Sequence, residues 1–422
     1  MVAQPGHYRT GNQALVREIN LSTILNRLRE NAPISRSALA EMTGLNKTTV
    51  SSLVQEPIDQ QFVHEVGLDS VGTGRPAMLL ELNPAAGCII SSEIGVDFIS
   101  VICSNFASQV IWQHKESTRS DAGLQATLEH TLTLLHRAAD AACNSYDSLL
   151  GLAIGVPGLV DRQNGTLLFA PNLNWTDVPL GDILREEFEL PIFIDNEANL
   201  AALGEYYFGA AKYFSEVLYV SAGAGLGGGI VHDGQLINGA TGFAGEFGHM
   251  TMDEEGEFCS CGNRGCWETQ VNQAALFRNI RQAIMSDRGA ARRSTMLSGD
   301  LDQLTVPLVV KAARAGDPIA LAALDKVGHH LGVGIASLVN ALNPALVVFG
   351  GMLSLAGEFL LPMIIDELQR RTLLWHERDT AVVLAEHSFD ACVLGGVATV
   401  YQAILEPPGS TARQNLVAEP SS

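Results

Sequence analysis

The 422-residue sequence lacks an opening basic-then-apolar signal, because its first residues, MVAQPGHYRTGNQALVREIN, are polar throughout. It also lacks a long uninterrupted apolar run. Its most apolar late stretch, VGIASLVNALNPALVVFGG, is broken by Asn340, Asn343 and Pro344 and reads as a buried helix followed by a buried strand. These absences predict a soluble, cytoplasmic chain with no membrane partner, in which structural disulfides are not expected. Positive charge is scarce too: 26 Lys and Arg stand against 46 Asp and Glu, a net charge of −20. Such an acidic body repels DNA, so any nucleic-acid contact must come from a segment that escapes the bias.

What the sequence does have is 47% apolar residues and 41 glycines, enough for two or three globular α/β domains with glycine-rich strand-to-helix turns. One segment escapes the acidic bias. Residues 1–55 carry six basic residues (Arg9, Arg17, Arg27, Arg29, Arg36, Lys47) against Glu18, Glu30 and Glu41, a balance of +3. Ile24, Leu25 and Leu28 fall at helical spacing, and ISRSALAEMTGLNKTTVSSLVQE reads as helix, tight turn at Gly44, and second helix. Ser35 and Asn46 are natural N-caps. On the second helix Val50, Leu53 and Val54 face inward. That leaves Lys47, Thr48, Thr49, Ser51 and Ser52 outward near its N-terminus, where a recognition helix meets bases and phosphates. An ordinary helical pair has the same pattern, and the charge balance favours DNA. The following FVHEVGLDSVGTGRPAMLLELNP resembles a β-wing whose tip could place Arg75 in a minor groove; a plain Gly-Pro turn with an exposed arginine is the alternative. Pro57 predicts that the recognition helix stops or kinks by Glu56.

Three of the seven cysteines crowd into CSCGNRGC. With a histidine upstream they form His-x9-Cys-x-Cys-x4-Cys from His249, Cys259, Cys261 and Cys266. Thiolate and imidazole in that number suit a closed tetrahedral Zn²⁺ site, structural because no position is left for an activated water. Gly262 and Gly265 let the chain wrap tightly enough; three free thiols without metal are the alternative. Glu246 and Glu268 bracket the cluster, as if it pinned the walls of a polar pocket.

Elsewhere CIISSEIGVDFISVICSN and EVLYVSAGAGLGGGIVHDGQ each read as strand, glycine turn and strand, suggesting a duplicated α/β unit. The run PIFI delivers Asp195, Asn196 and Glu197 to a strand's carboxyl end, where ligand sites lie in open α/β sheets. Helix capping explains the same residues and does not exclude a site.

GEFGH followed by CSCGNRGCWE resembles the signature of the ROK family, which groups sugar kinases with sugar-responsive repressors, and the resemblance extends from about Leu15 to Ile404. It implies an α/β, two-lobed, actin-like ATPase fold with a sugar cleft between the lobes. The domains are expected at residues 1–84 (winged helix-turn-helix), 85–405 (the sugar-sensing body) and 406–422 (a disordered tail). By resemblance the sugar-binding positions are Asn172, Asn196, Glu197, Glu246, His249 and Glu268; carboxylates and carboxamides can take sugar hydroxyls pairwise. Kinase members open with Asp-x-Gly-Gly-Thr-Lys, a phosphate-holding hairpin. Here Glu93 replaces the Asp, Val96 and Asp97 the Gly-Thr, and Phe98 the Lys, so ATP is not expected to bind. Ala224 stands where kinases commonly carry a threonine, and Glu197 occupies the position of the catalytic acid, a vestige with one extra methylene.

The resemblance is to the family's repressor branch, the xylose and N-acetylglucosamine repressors. It predicts a regulator with operator DNA and a small sugar effector as partners, acting as a homodimer or dimer of dimers. The competing expectation is a zinc-containing sugar kinase with an N-terminal appendage.

Overall fold

The computed structural model describes residues 13–69, 76–118, 123–143, 146, 148–286, 289, 294–295, 301–373 and 380–405. Arg75 with the wing tip and the expected 406–422 tail lie outside the described residues. The chain begins with α1 (Gln13–Asn31), β1 (Ile34–Ser35), α2 (Arg36–Thr43), α3 (Lys47–Asp59), β2 (Val63–Asp69) and β3 (Ala77–Leu82). Both β1 and β2 pair antiparallel with β3, closing a winged helix-turn-helix. Its core is the anticipated one: Ile24, Leu25, Leu28, Val50, Leu53 and Val54 are buried. Ser35 Oγ accepts from Ala38 N at 3.3 Å and Asn46 Oδ1 from Thr49 N at 2.8 Å. Each such cap contributes about 1 kcal/mol.

The recognition helix α3 does not stop at Glu56. It continues to Asp59 with Pro57 buried inside it. Pro57 falls in the last turn, so one backbone bond is forgone while its ring joins the buried face. Gln60 N donates to Glu56 O and Phe62 N to Pro57 O, both at 2.9 Å. Gln61 then takes the left-handed φ of 62° that a glycine more often supplies at a helix end.

A single 3-10 turn, Pro84–Ala86, joins the wing to the body. The first lobe's sheet comprises β4 (Cys88–Ile94), β5 (Phe98–Asn105), β6 (Val110–Ser117), β7 (Leu149–Val156) and, after the small β8 (Leu159–Asp161), β9 (Thr166–Ala170) and β10 (Trp175–Val178), β11 (Ile192–Asn196). The second contains β12 (Glu216–Ala222), β13 (Leu226–His232), β14 (Gln235–Leu236), β15 (Leu346–Gly350) and β16 (Ala381–Leu384). The two sheets have one topology: an antiparallel hairpin, an antiparallel edge strand, and two parallel strands on the hairpin's other side. The duplicated α/β unit is therefore real. Strand β4 is buried along its whole length, because α4 (Gly123–Cys143) covers one face and the helix Ala391–Leu405 packs on the sheet as well.

Two helices bring the lobes together. After α5 (Leu180–Glu187), α6 (Glu197–Phe208) packs on β12 and β13, the helix Ala391–Leu405 packs on β4 and β7, and the two helices pack on each other. By length and composition the window Ser388–Leu405 could cross a membrane, but 72% of it is buried inside the protein. The apolar stretch noted in the sequence forms the buried helix Pro318–Leu342 and then β15.

Candidate functional site

The strand-to-helix switch from β11 to α6 sets three polar residues at the cleft. Asp195 is buried; its Oδ1 accepts from Asn196 N at 2.8 Å and Asn199 Nδ2 at 3.1 Å, and its Oδ2 lies 2.9 Å from Arg162 Nε. Asn196 caps α6, its Oδ1 accepting from Ala198 N at 2.8 Å and Asn199 N at 3.3 Å. Its Nδ2 donates to Gly158 O at 3.0 Å. Glu197 Oε2 is buried without a partner. Burial pushes the Glu197 carboxyl up to about 8, and the nearby Glu93, Glu246 and Asp195 carboxylates add to the rise.

The opposite wall is the cysteine loop. A 3-10 turn, Phe247–His249, presents His249, and bridges between Thr251 and Cys266 and between Phe258 and Arg264 fold the loop on itself. Gly265 takes φ 70° against Asp253 O, where a Cβ would come within 1.5 Å, so the loop requires glycine there. The donor atoms of His249, Cys259, Cys261 and Cys266 all lie within 4.8 Å of one another. Cys261 Sγ is 3.7 Å from Cys266 Sγ, and His249 Nδ1 is 3.6 Å from Cys259 Sγ. Tetrahedral bonds of about 2.0–2.3 Å set donors roughly 3.5–3.8 Å apart, so the cluster fits a metal ion.

Glu268 is buried and ties this loop to the second hairpin. Its Oε1 receives the Cys259 thiol at 2.8 Å and its Oε2 accepts from Leu226 N at 3.4 Å. His249 Nδ1 lies 3.8 Å from Glu268 Oε1, and His249 Nε2 lies 3.8 Å from Glu246 Oε2.

Between these walls is a cavity of 290 Å³ lined by Asn172, Glu197, His249 and Glu268. Asn196 and Glu246 face a 10 Å³ crevice beside it that shares Gly158 and Leu159. Four of the six anticipated sugar positions thus converge on one chamber, while Asn196 is occupied as a helix cap and Glu246 stands in the side crevice. Gly158, Phe169 and Ser260 also line the chamber and were not anticipated. The stretch Gly155-Val156-Pro157-Gly158 carries a turn signal that points to Gly158, whereas nothing in the strand β9 sequence TLLFA marks Phe169. On α3, Lys47, Thr48, Ser51 and Ser52 are exposed and Thr49 is half-buried.

Residues 89–403 match the model of the ROK family, and residues 10–56 match a winged helix-turn-helix DNA-binding model. The chain is 35% identical to the xylose repressor of Caldicellulosiruptor bescii, over 94% of this chain and 99% of that one. A solved ROK family transcriptional regulator, a homolog of the E. coli MLC protein, is similar with a TM-score of 0.79 at 26% identity, covering 93% of this chain and 97% of its own. A ROK family glucokinase from Streptomyces griseus, solved with glucose and AMPPNP, has a TM-score of 0.66 at 31% identity, covering 75% of this chain and 100% of its own. The family model spans most of the chain, and the relatives match it along most of its length; the chain belongs to the ROK family.

Proposed function

We propose that the protein is a sugar-responsive DNA-binding transcriptional repressor of carbohydrate-utilisation genes, with a degenerate kinase site. The observation that carries this reading is the joining of a winged helix-turn-helix to a polar, sugar-sized chamber whose neighbouring phosphate hairpin reads Glu93, Val96, Asp97 and Phe98. Residues 1–84 would form the DNA-binding domain and 85–405 the sensor. Lys47, Thr48, Thr49, Ser51, Ser52 and Arg75 would meet operator DNA, in a homodimer reading paired half-sites about 34–36 Å apart or a multiple of that. Asn172, Glu197, His249 and Glu268 would hold the sugar, with Asn196 and Glu246 supporting them from the crevice.

His249, Cys259, Cys261 and Cys266 would hold Zn²⁺, which when bound supplies a fixed crosslink and no reacting group. Its effect is to anchor the loop that carries Glu268 and the turn that carries Glu246. The likeness to a glucokinase supports a second reading, a sugar kinase. The hairpin argues against it, because the Asp97 carboxylate and the Phe98 ring stand in place of the kinase threonine and lysine, which are donors for phosphate.

An operator can be selected from a random DNA pool and titrated with and without common sugars. Tight operator binding relieved by one sugar is the expected outcome. Sugar-dependent ADP release with turnover of about 1–10³ s⁻¹ would replace the repressor reading with the kinase one.

A further inference from the structure

Behind the sugar chamber lies an inner cavity of 140 Å³ bordered by Glu93, Glu197 and Cys392. Both spaces belong to the cleft. A third, of 470 Å³, lies against the cysteine loop and shares no lining residue with the chamber. Ser260 and Cys261 of that loop face the sugar chamber, whereas Glu257, Phe258 and Arg264 face the outer cavity. The helix Glu268–Val271 continues the division, with Glu268 on the chamber and Thr269 and Gln270 on the outer cavity. One loop therefore partitions two cavities, and the outer one is the larger.

The outer cavity is polar and balanced in charge. Arg264, Arg278 and Lys326 stand against Asp253, Glu255 and Glu257. Burial, with the charges of His329 and Lys326, holds His330 on the same wall below its ordinary value, so it adds no charge at neutral pH. An ionic ligand would gain from one set of charges and lose to the other. A hydroxyl gains from both, because it accepts from a cation and donates to a carboxylate.

The carboxamides Gln270, Asn279 and Gln282 complete the lining. Asn279 carries the most information. It is only 8% exposed, its side chain has no hydrogen-bond partner among the described residues, and the cavity it lines is this one. An amide left idle at such a depth costs stability unless water or a ligand meets it. Phe258, by contrast, is 81% exposed, with the Arg264 guanidinium 5.5 Å from the centre of its ring. The ring is an apolar plate set in polar surroundings.

We propose that the outer cavity is a second carbohydrate site, which takes a neutral oligosaccharide. The proposal goes beyond the sugar-sensing reading of the chamber and does not depend on it. The C–H face of a pyranose lies on the negative face of the Phe258 ring. The hydroxyls of the next ring reach Asn279 and Gln270, and those at the sides bridge the opposed charges. A space of 470 Å³, against 290 Å³ in the chamber, suits a longer saccharide than the chamber holds.

The test uses the full chain carrying Asn172→Ala, which strips one polar wall from the chamber and leaves the outer lining whole. Calorimetric titration with cellotriose and with xylotriose should show one binding event per chain for at least one of them. Adding Phe258→Ala, at an exposed ring, should weaken that event by about 3- to 10-fold. Adding Asn279→Ala should weaken it by a similar factor, about 2- to 10-fold. Phe258→Ala decides alone if the buried substitution does not fold. Absence of trisaccharide binding overturns the proposal, and so does binding that Phe258→Ala leaves unchanged. Glucose and xylose titrated into wild type read the chamber separately, so the outer site can fail while sugar sensing stands.

Discussion

The two lobes carry the same hairpin twice and use its turn in opposite ways. Between β4 and β5 the turn is packed shut, with Phe98 lying on Gly95 and Glu93 buried beneath it. Between β12 and β13 the glycine run Gly223–Ala224–Gly225 stays open to the sugar chamber. There, a Cβ on Gly225 would stand 3.1 Å from Glu268 Oε2 and 3.4 Å from Asn172 Nδ2, two of the chamber's polar walls. One turn is filled with protein and the other is kept clear for a ligand. The two halves of the cleft rest on different turns, so one half can change while the other does not.

The largest effect should come from breaking the support of the open turn. Glu268 holds Leu226 N at the start of β13, and it follows Cys266, the last cysteine of the loop, by two residues. Cys261→Ser should lower bound zinc from about one ion per chain to a small fraction, because affinity rests on the full donor set. Sugar affinity should fall by about 10–100-fold, the range for disturbing a metal site's surroundings. Elemental analysis and calorimetry on one preparation check both. Wild-type protein purified without chelators and free of zinc would sink the metal assignment.

The filled turn should announce itself through pH. Burial pushes Glu93 up to about 7 and Glu197 up to about 8. Glu93, Glu246, Asp195 and Cys392 face Glu197, Asp195 is paired with Arg162, and Lys115 and Asp390 act on Glu93. Between the ordinary carboxyl value of 4.5 and these raised values, the folded chain keeps protons that the unfolded chain has released. Stability must therefore fall as pH rises through that window, by at most about 1.4 kcal/mol per pH unit for each group. Denaturant unfolding of wild type and Glu197→Gln across the window should show a flatter slope in the variant. Parallel curves would mean that Glu197 is ionised in the folded state.

The same small substitution made in both turns sharpens the contrast. Gly95→Ala must push the Phe98 ring aside and should cost about 1–3 kcal/mol of stability, as overpacking does. Gly225→Ala meets only the ends of two polar side chains, so it should cost less stability and more sugar affinity. Thermal unfolding and sugar titration on both variants separate the two outcomes. Equal losses of both kinds at both sites would erase the distinction between a filled and an open turn.

Features set by neighbouring residues are legible in the amino-acid sequence alone. The caps Ser35 and Asn46, the buried faces of α1 and α3, both hairpins and the His-Cys spacing each depend on residues close along the chain. Features that depend on which partner a polar group finds are not legible in this way. Asn196 reads equally as ligand or cap, and only the approach of Gly158 O, from another strand's end, shows both of its polar ends engaged. Glu246 reads as a chamber wall until the fold turns it into the side crevice. Pro57 reads as a helix stop, but one missing bond in a final turn is a small cost against burying its ring.

The smallest expected effect lies farthest from the cleft. Helix α6 starts at Glu197, on the chamber wall, and ends at Phe208, against the winged domain. Arg29 of α1 donates from Nη1 to Tyr207 O at 3.3 Å, and its guanidinium lies 4.3 Å over the Tyr207 ring. The neighbouring helix Ala391–Leu405 makes the same journey, from Cys392 in the inner cavity to Tyr401, whose ring lies 5.3 Å from Phe106, itself 5.2 Å from Phe62 just after α3. Twelve residues of α6 span about 18 Å as one rod. A shift at its capped start therefore reaches Arg29 with little loss. Arg29→Met keeps the length and the apolar contact but removes the hydrogen bond and the cation–ring attraction, worth about 0.5–2 kcal/mol. The ratio of operator affinities without and with the best-binding sugar should shrink by roughly 2- to 30-fold, since each 1.4 kcal/mol is a factor of ten. Lys47→Ala is the control at the DNA end: it should weaken operator binding at every sugar concentration, lower the salt slope by about 1, and leave that ratio alone. Glu268→Ala is the control at the cleft and should abolish the response while operator binding persists. If Arg29→Met leaves the ratio at its wild-type value, α6 does not connect the two ends, and the open turn senses sugar without informing the recognition helix through this contact.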